Sequence, residues 1–321
     1  MIKSVFIDGA EGTTGLQIRT RLEQREDVAL LTLGDADRKD AAKRSAMLNA
    51  CDVAILCLPD DAAREAVAMI NNPDVSIIDA STAHRTAEGW DYGFPEMDLG
   101  HGANIAASKR VANTGCYAVA SVAMLRPLIA DGLLPAEWPI TINAVSGYSG
   151  GGKKMIASFE DPSAPDPIDT PFRVYGLGLA HKHVPEIQIW SGLTHAPIFV
   201  PSVGRYREGM IVQIPLQLAA IDGTPSADDV HDILASHYEG RQFVNVADLL
   251  KGEGNPVLDP EALNGTNELR LHVFANKAAD QAVIVGVLDN LGKGASGQAV
   301  QCMNLMISAP EETGLIDTVL L

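Results

Sequence analysis

Three short stretches of the 321-residue chain hold residue types that chemistry needs. In NTGCYA, Cys116 stands just before a helix-like run from Tyr117 to Asp131. A thiol at a helix amino terminus has its thiolate stabilised by the helix dipole, which lowers its pKa and makes it the nucleophile of choice near neutral pH. Cys51, Cys57 and Cys302 lack that setting; they flank or lie within an apolar strand or the last helix and are expected to be small core residues. In HKHVPE, His181 and His183 are two apart, so an extended segment would turn both rings toward one cavity. Pro185 suits the first turn of a helix running through Ile187 and Trp190, with Glu186 near its start. An HxH pair is also a metal-ligand pattern, but no third ligand of suitable spacing accompanies it and no metal is expected. An imidazole beside a cysteine explains the pair better, because thioester chemistry needs a proton acceptor and a donor.

The third stretch is GAEGTTG, with Gly9, Gly12 and Gly15. Glycines at this spacing let the chain turn sharply, approach a pyrophosphate and pack a helix on a sheet, while the helix start supplies amides and a positive dipole. Which nicotinamide cofactor it holds depends on the tip of the second strand, where an acid favours a ribose hydroxyl and a base a 2′-phosphate. Both kinds are present. Asp35 and Asp37 follow Gly34, and Arg38 and Lys39 then supply the nearby positive pair, on which the expectation of NADP rests.

These stretches need elements to position them. Lys3 to Asp8 reads as a buried strand, GAEGTTG as the turn, and Leu16 to Arg25 as a helix. Apolar runs at Val28 to Leu33, Asp52 to Leu58 and Val75 to Ala80 alternate with helix-like stretches at Lys39 to Asn49 and Asp61 to Asn71. Such alternation predicts a parallel sheet covered by helices on both faces. Beyond residue 115 it stops. Strands are expected at 140–147, 198–203, 210–218, 242–246, 268–276 and 281–288, with helices at 226–239 and 295–307, which predicts an α+β domain with a mixed or antiparallel sheet. Ser146 to Lys154 and Ser158 to Phe172 fit neither period and read as working loops.

Composition narrows the partners. Lysine and arginine total 24 against 41 acids, a formal charge of −17 that repels phosphate backbones, so nucleic acid is not expected and any bound phosphate needs a specific device. No span approaches the roughly 18 unbroken apolar residues of a membrane helix, and no signal peptide is expected from the strand-like opening MIKSVFIDGAEG. Four scattered cysteines indicate no disulfide framework; a reduced, cytoplasmic protein is expected.

GAEGTTG, DASTAHR, VANTGCYA, HKHVPE and DNLGKGASGQAVQCMNLM stand in one order along the whole chain, and together they resemble the shorter variety of N-acetyl-γ-glutamyl-phosphate reductase, an arginine-biosynthesis family related to aspartate-semialdehyde dehydrogenase. The resemblance implies an NADP-binding Rossmann domain, taken as 1–115 plus about 292–321 with the last helix returning to it, and a catalytic and oligomerisation domain at 116–291. It implies Cys116 as nucleophile and HKHVPE as the acid/base region, with His183 chosen over His181 and Glu186 beside them. Cofactor contacts are expected from Gly9, Gly12, Thr13, Thr14, Gly15, Arg38, Lys39 and Ser81, and substrate contacts from Arg85, Arg110 and Arg205. The expected partners are a small acyl phosphate and further copies of the chain, as a dimer or tetramer. Thr114 departs from the proline many members carry before GCY.

Alternatives remain at this stage. An aspartate-semialdehyde dehydrogenase would share the logic but read a free amine where this substrate carries an acetyl amide. A cysteine hydrolase would use Cys116, His183 and water without a cofactor, and a nucleotide-sensing protein would bind without turnover.

Overall fold

The computed structural model describes residues 2–34, 36–249 and 256–315; Asp35 and the last six residues assigned to the first domain lie outside them. The chain divides into two compact units, Met1–Pro95 with Leu99–Thr114 and Ala295–Leu321, and Glu96–Asp98 with Gly115–Gly294. The switch therefore falls at Gly294, and a three-residue excursion at Glu96 belongs to the second unit.

In the first unit the elements are β1 (Lys3–Asp8), α1 (Thr13–Leu22), β2 (Val28–Leu31), α2 (Ala41–Ala50), β3 (Val53–Leu56), α3 (Asp60–Met69), β4 (Ser76–Asp79), β5 (Asp91–Gly93), α4 (His101–Ala107) and β6 (Arg110–Asn113). All six strands are parallel, in the order β2-β1-β3-β4-β6-β5. Every residue of β3 and β4 is buried, as in a strand covered on both faces, which is why β3 reads as an unbroken apolar run and β4 is centred on Ile77 and Ile78. Asp40 caps α2 by accepting from the Ala42 and Lys43 amides. β5 and α4, with three and seven residues, are too short to leave a period in the sequence. The helix Gly297–Met306 returns to this unit: Ser296 donates to Gln17, Arg25 to Asn304, and the Cys302 thiol to the Gly93 carbonyl.

The second unit opens with α5 (Cys116–Asp131), followed by β7 (Thr141–Gly147), α6 (Gly152–Glu160), β8 (Phe172–Val174), α7 (Val184–Ser191), β9 (Ile198–Gly204), β10 (Met210–Gln217), α8 (Ala227–Tyr238), β11 (Val244–Val246), β12 (Leu269–Asn276) and β13 (Gln281–Leu288). Seven strands form a mixed sheet in the order β11-β12-β13-β10-β7-β9-β8. One correction concerns the glycine- and proline-rich segments, and it falls on the first of them. Ser146 to Lys154 is no loop but the end of β7, a 3₁₀ turn at Tyr148–Gly151 and the start of α6, whereas Ser158 to Phe172 opens in the last turn of α6, runs through 161–171 without a regular element and ends on β8.

α5 is apolar around nearly its whole circumference because it is buried on all sides, against α7, α8, β10 and β13. Pro127 inside it has no amide to give the Ala123 carbonyl. The Tyr238 hydroxyl supplies that bond from α8 at 2.9 Å. A left-handed Gly132 (φ 88°) ends the helix.

Candidate active site

In the first unit, β1 runs directly into the glycine loop. Gly9 has φ 87°, and a Cβ there would come within 2.3 Å of the Cys57 carbonyl oxygen, so only glycine lets the loop lie against the end of β3. A Cβ on Gly15 would meet the Gly9 carbonyl at 2.5 Å, which is the close packing of α1 on the loop. Gly12 caps α1 with no side chain, leaving the first-turn amides open. Thr13 and Thr14 open the helix, and the buried Thr13 hydroxyl has no hydrogen-bond partner. Beside the loop lies a cleft of about 740 Å³, lined among others by Gly9, Gly12, Arg38, Lys39 and Arg44. Open amides, an orphaned hydroxyl and a cationic rim fit a dinucleotide with its pyrophosphate at the helix start.

At the tip of β2 the two kinds of charge separate. Asp37 pairs with Lys43 at 2.5 Å, whereas Arg38 lines the cleft and pairs with Glu11 of the glycine loop at 3.3 Å. Arg44, not singled out from sequence, is held by Asp8 through Nη2 at 2.8 Å and Nε at 3.2 Å. Its only signal was a position one turn into α2. Ser81 does not line the cleft: its hydroxyl donates to Asp79 at 2.7 Å, which also holds the His84 ring at 2.6 Å.

Cys116 is the first residue of α5, partly exposed, with Gly115 as a cap that brings no side chain. The Gly115 amide donates to the Glu186 carboxylate at 2.7 Å, so Glu186, on the first turn of α7 and buried, anchors the turn that presents the thiol. On the other side stands Gly294, where a Cβ would be 2.7 Å from the Cys116 Cβ. The Cys116 thiol is thus set between a fixed amide and a bare stretch of backbone.

The two histidines converge for a different reason from the one expected. The segment is a turn, not an extended strand, with His183 in helical geometry (φ −83°, ψ −11°) at the start of α7. The turn stacks the rings edge to face at 4.8 Å, and both pack near Tyr117, at 5.9 Å for His181 and 5.8 Å for His183. The His183 amide donates to His181 Nδ1 at 3.2 Å. A backbone N–H can only donate, so Nδ1 of His181 is held as an acceptor and Nε2 carries its proton. Tyr117 and Tyr175, which sequence reasoning missed, join hydroxyls at 3.1 Å beside this cluster. Burial pushes the Tyr175 phenol up to about 12 and raises Tyr117 further, with Cys116 contributing to both.

The three arginines expected at substrate have different surroundings. Buried Arg85 donates to the carbonyls of Asn113 and Ala80, bracing the carboxyl ends of β4 and β6. Arg110 stands at the amino end of β6 with its guanidinium 6.0 Å over the Trp90 ring, whereas ligands of a parallel sheet sit at the carboxyl ends. Arg205 is exposed and holds the 161–171 segment through Asp169 and the Ile168 carbonyl.

Residues 39–105 match the semialdehyde dehydrogenase NAD binding domain and residues 116–290 the semialdehyde dehydrogenase dimerisation domain. Fold and site together define an oxidoreductase of the semialdehyde dehydrogenase class. Aspartate semialdehyde dehydrogenase II of Vibrio cholerae, complexed with ASA, has the same fold at a TM-score of 0.69 and 16% identity, over 96% of this chain and 99% of that one. The Candida albicans aspartate semialdehyde dehydrogenase with NADP aligns at a TM-score of 0.66 and 15% identity, over 96% of this chain and 99% of that one. Much nearer in sequence, the N-acetyl-gamma-glutamyl-phosphate reductase of Burkholderia cenocepacia is 54% identical over 95% of this chain and 97% of its own length. The chain belongs to the N-acetyl-gamma-glutamyl-phosphate reductase family.

Proposed function

We propose that this protein reduces N-acetyl-γ-glutamyl phosphate to N-acetylglutamate semialdehyde with release of phosphate, using NADPH, in the cytoplasm and in arginine biosynthesis. The observation that carries the reading is the 54% identity to a reductase of that name along nearly the whole chain. The Cys116 site supplies the chemistry. The thiolate, favoured by the α5 dipole, attacks the acyl carbon; a C–S bond forms, the C–O bond to phosphate breaks, and phosphate leaves. His183 takes the thiol proton before the attack and returns it to the departing phosphate. NADPH, when bound, supplies the hydride that reduces the thioester carbon. The resulting alkoxide, held by the first-turn amides of α5, collapses with loss of the Cys116 thiolate and gives the aldehyde. His181, with Nδ1 occupied by the His183 amide and a donor at Nε2, orients the acyl group.

NADP is preferred because the cations Arg38 and Lys39 line the cleft while Asp37 is turned to Lys43. A 2′-phosphate would replace Glu11 as the partner of Arg38. Arg38→Ala with Lys39→Ala is accordingly expected to raise the Michaelis constant for NADP by about tenfold or more and to leave that for NAD nearly unchanged. Proportional losses for both cofactors would remove these residues from a phosphate site.

Copies of the chain associate through the second unit. On the sheet face turned away from α5 and α8, Gln213, Pro215 and Gln217 are exposed and Val145, Phe274 and Val283 half-buried, an apolar and polar mixture suited to a partner subunit.

The acyl group is tested by running the reaction backwards with NADP, phosphate and either N-acetylglutamate semialdehyde or aspartate semialdehyde. The first is expected to be preferred by about 10²-fold or more in kcat/KM. The opposite ratio would make the chain a reductase of the other acyl phosphate.

A further inference from the structure

We propose that the buried ion pair between Lys293 and Glu96 is a positioning device for the Cys116 nucleophile, acting through the backbone of Gly294. The proposal rests on the reading of Cys116 as the attacking thiol.

Lys293 is fully buried, and its ammonium donates to the Glu96 carboxylate at 2.7 Å with the Phe243 ring 5.6 Å away. Desolvating two charges offsets most of their attraction, and well-packed apolar residues at such a place commonly give equal stability. Stability alone therefore does not explain a buried lysine here. Its place in the chain does. The next residue is Gly294, where a Cβ would meet the Cys116 Cβ at 2.7 Å and its Cα at 3.2 Å.

The turn that carries Gly294 is fixed at two points. The Gly294 amide donates to the Asp289 carbonyl at 3.0 Å, and the Asp289 carboxylate in turn accepts from the Leu291 and Gly265 amides. Lys293 is the second point. Residues Gly292–Ser296 form a π-helical turn, a geometry that needs tertiary support to persist. The other end of the tether is equally held: the Asp98 carboxylate accepts from Nε and Nη2 of Arg126, and the Met97 carbonyl meets the His237 ring. Glu96–Asp98 is thereby a fixed anchor inside the second unit, and Lys293 transmits it to the wall beside the thiol.

The test uses the whole enzyme and four readouts: kcat, KM for the acyl phosphate, thermal midpoint, and the rate at which iodoacetamide alkylates Cys116. Lys293→Met with Glu96→Leu removes both charges at once. It is expected to keep a thermal midpoint near wild type. Turnover should fall about 10²-fold with KM changed by less than about threefold, and alkylation should slow about tenfold. Glu96→Asp keeps both charges and shortens the tether, and should lose about tenfold in turnover with the same split. Gly294→Ala, which disturbs the contact directly, should reproduce the pattern.

Wild-type turnover and alkylation in the folded variants would overturn the proposal. So would turnover losses across the three that follow thermal midpoint and not alkylation. If the double variant fails to fold, Glu96→Asp decides by the same two criteria. Alkylation needs no acyl phosphate, so an error in the assigned substrate would show as an inactive wild-type enzyme whose Cys116 still responds to the tether.

Discussion

Cys116→Ser is expected to bind NADP as wild type does and to lose reductase turnover by at least about 10³-fold. A serine hydroxyl is not appreciably ionised at neutral pH, and the dipole of α5 lowers a pKa by too little to make an alkoxide. Cofactor affinity is spared because the glycine loop and its cleft lie wholly in the first unit, while Cys116 belongs to the second. The same geometry predicts which thiol reacts. Burial pushes Cys51 up to about 11, and burial with the nearby Asp79 and Asp8 carboxylates pushes Cys57 up to about 12, so both stay protonated at neutral pH. Cys302 is buried with its thiol on the Gly93 carbonyl. Iodoacetamide should therefore modify Cys116 first, as read by mass spectrometry of native protein. Equal labelling of Cys51 or Cys302 would sink the dipole argument.

His183→Asn should lower turnover by about 10²-fold or more while the NADP dissociation constant stays near wild type. Asparagine keeps a polar group of similar size at the start of α7 but cannot carry a proton away from the thiol. His181→Asn is expected to be milder and to act mainly on KM, because the Nδ1 of His181 already accepts the His183 amide. Removing that acceptor loosens the turn without removing the base. Steady-state kinetics on the pair decides the assignment: a larger turnover loss for His181 reverses it, and wild-type rates in both would take HKHVPE out of the mechanism.

Glu186 shows how far the sequence reaches into this site. Its proximity to a helix start was legible, since Pro185 marks the first turn of α7. That its carboxylate ends on the Gly115 amide, 71 positions away in the chain, depends on α7 packing beside α5. No local period encodes that.

The sequence alone determined the features that repeat over a few residues. Alternating apolar and helical runs specified the parallel sheet, because strands buried on both faces must be continuously apolar. The glycine spacing specified the loop, because Gly9 and Gly15 stand where a Cβ has no room. Cys116 could be placed at a helix start from its flanking residues, and the last helix from its position after DNLGKG. Tertiary structure decided everything that joins distant positions. The turn at His181 to His183, in place of an extended segment, follows from the start of α7 at Val184. Arg110 reads as a cation near Cys116 along the chain, yet the run of β6 carries it to the opposite end of the strand. Glu96 and Lys293 are ordinary charged residues in the sequence, separated by 197 positions. Their burial is a property of the packed second unit, since a charge enters a core only where folding brings its partner within hydrogen-bond reach.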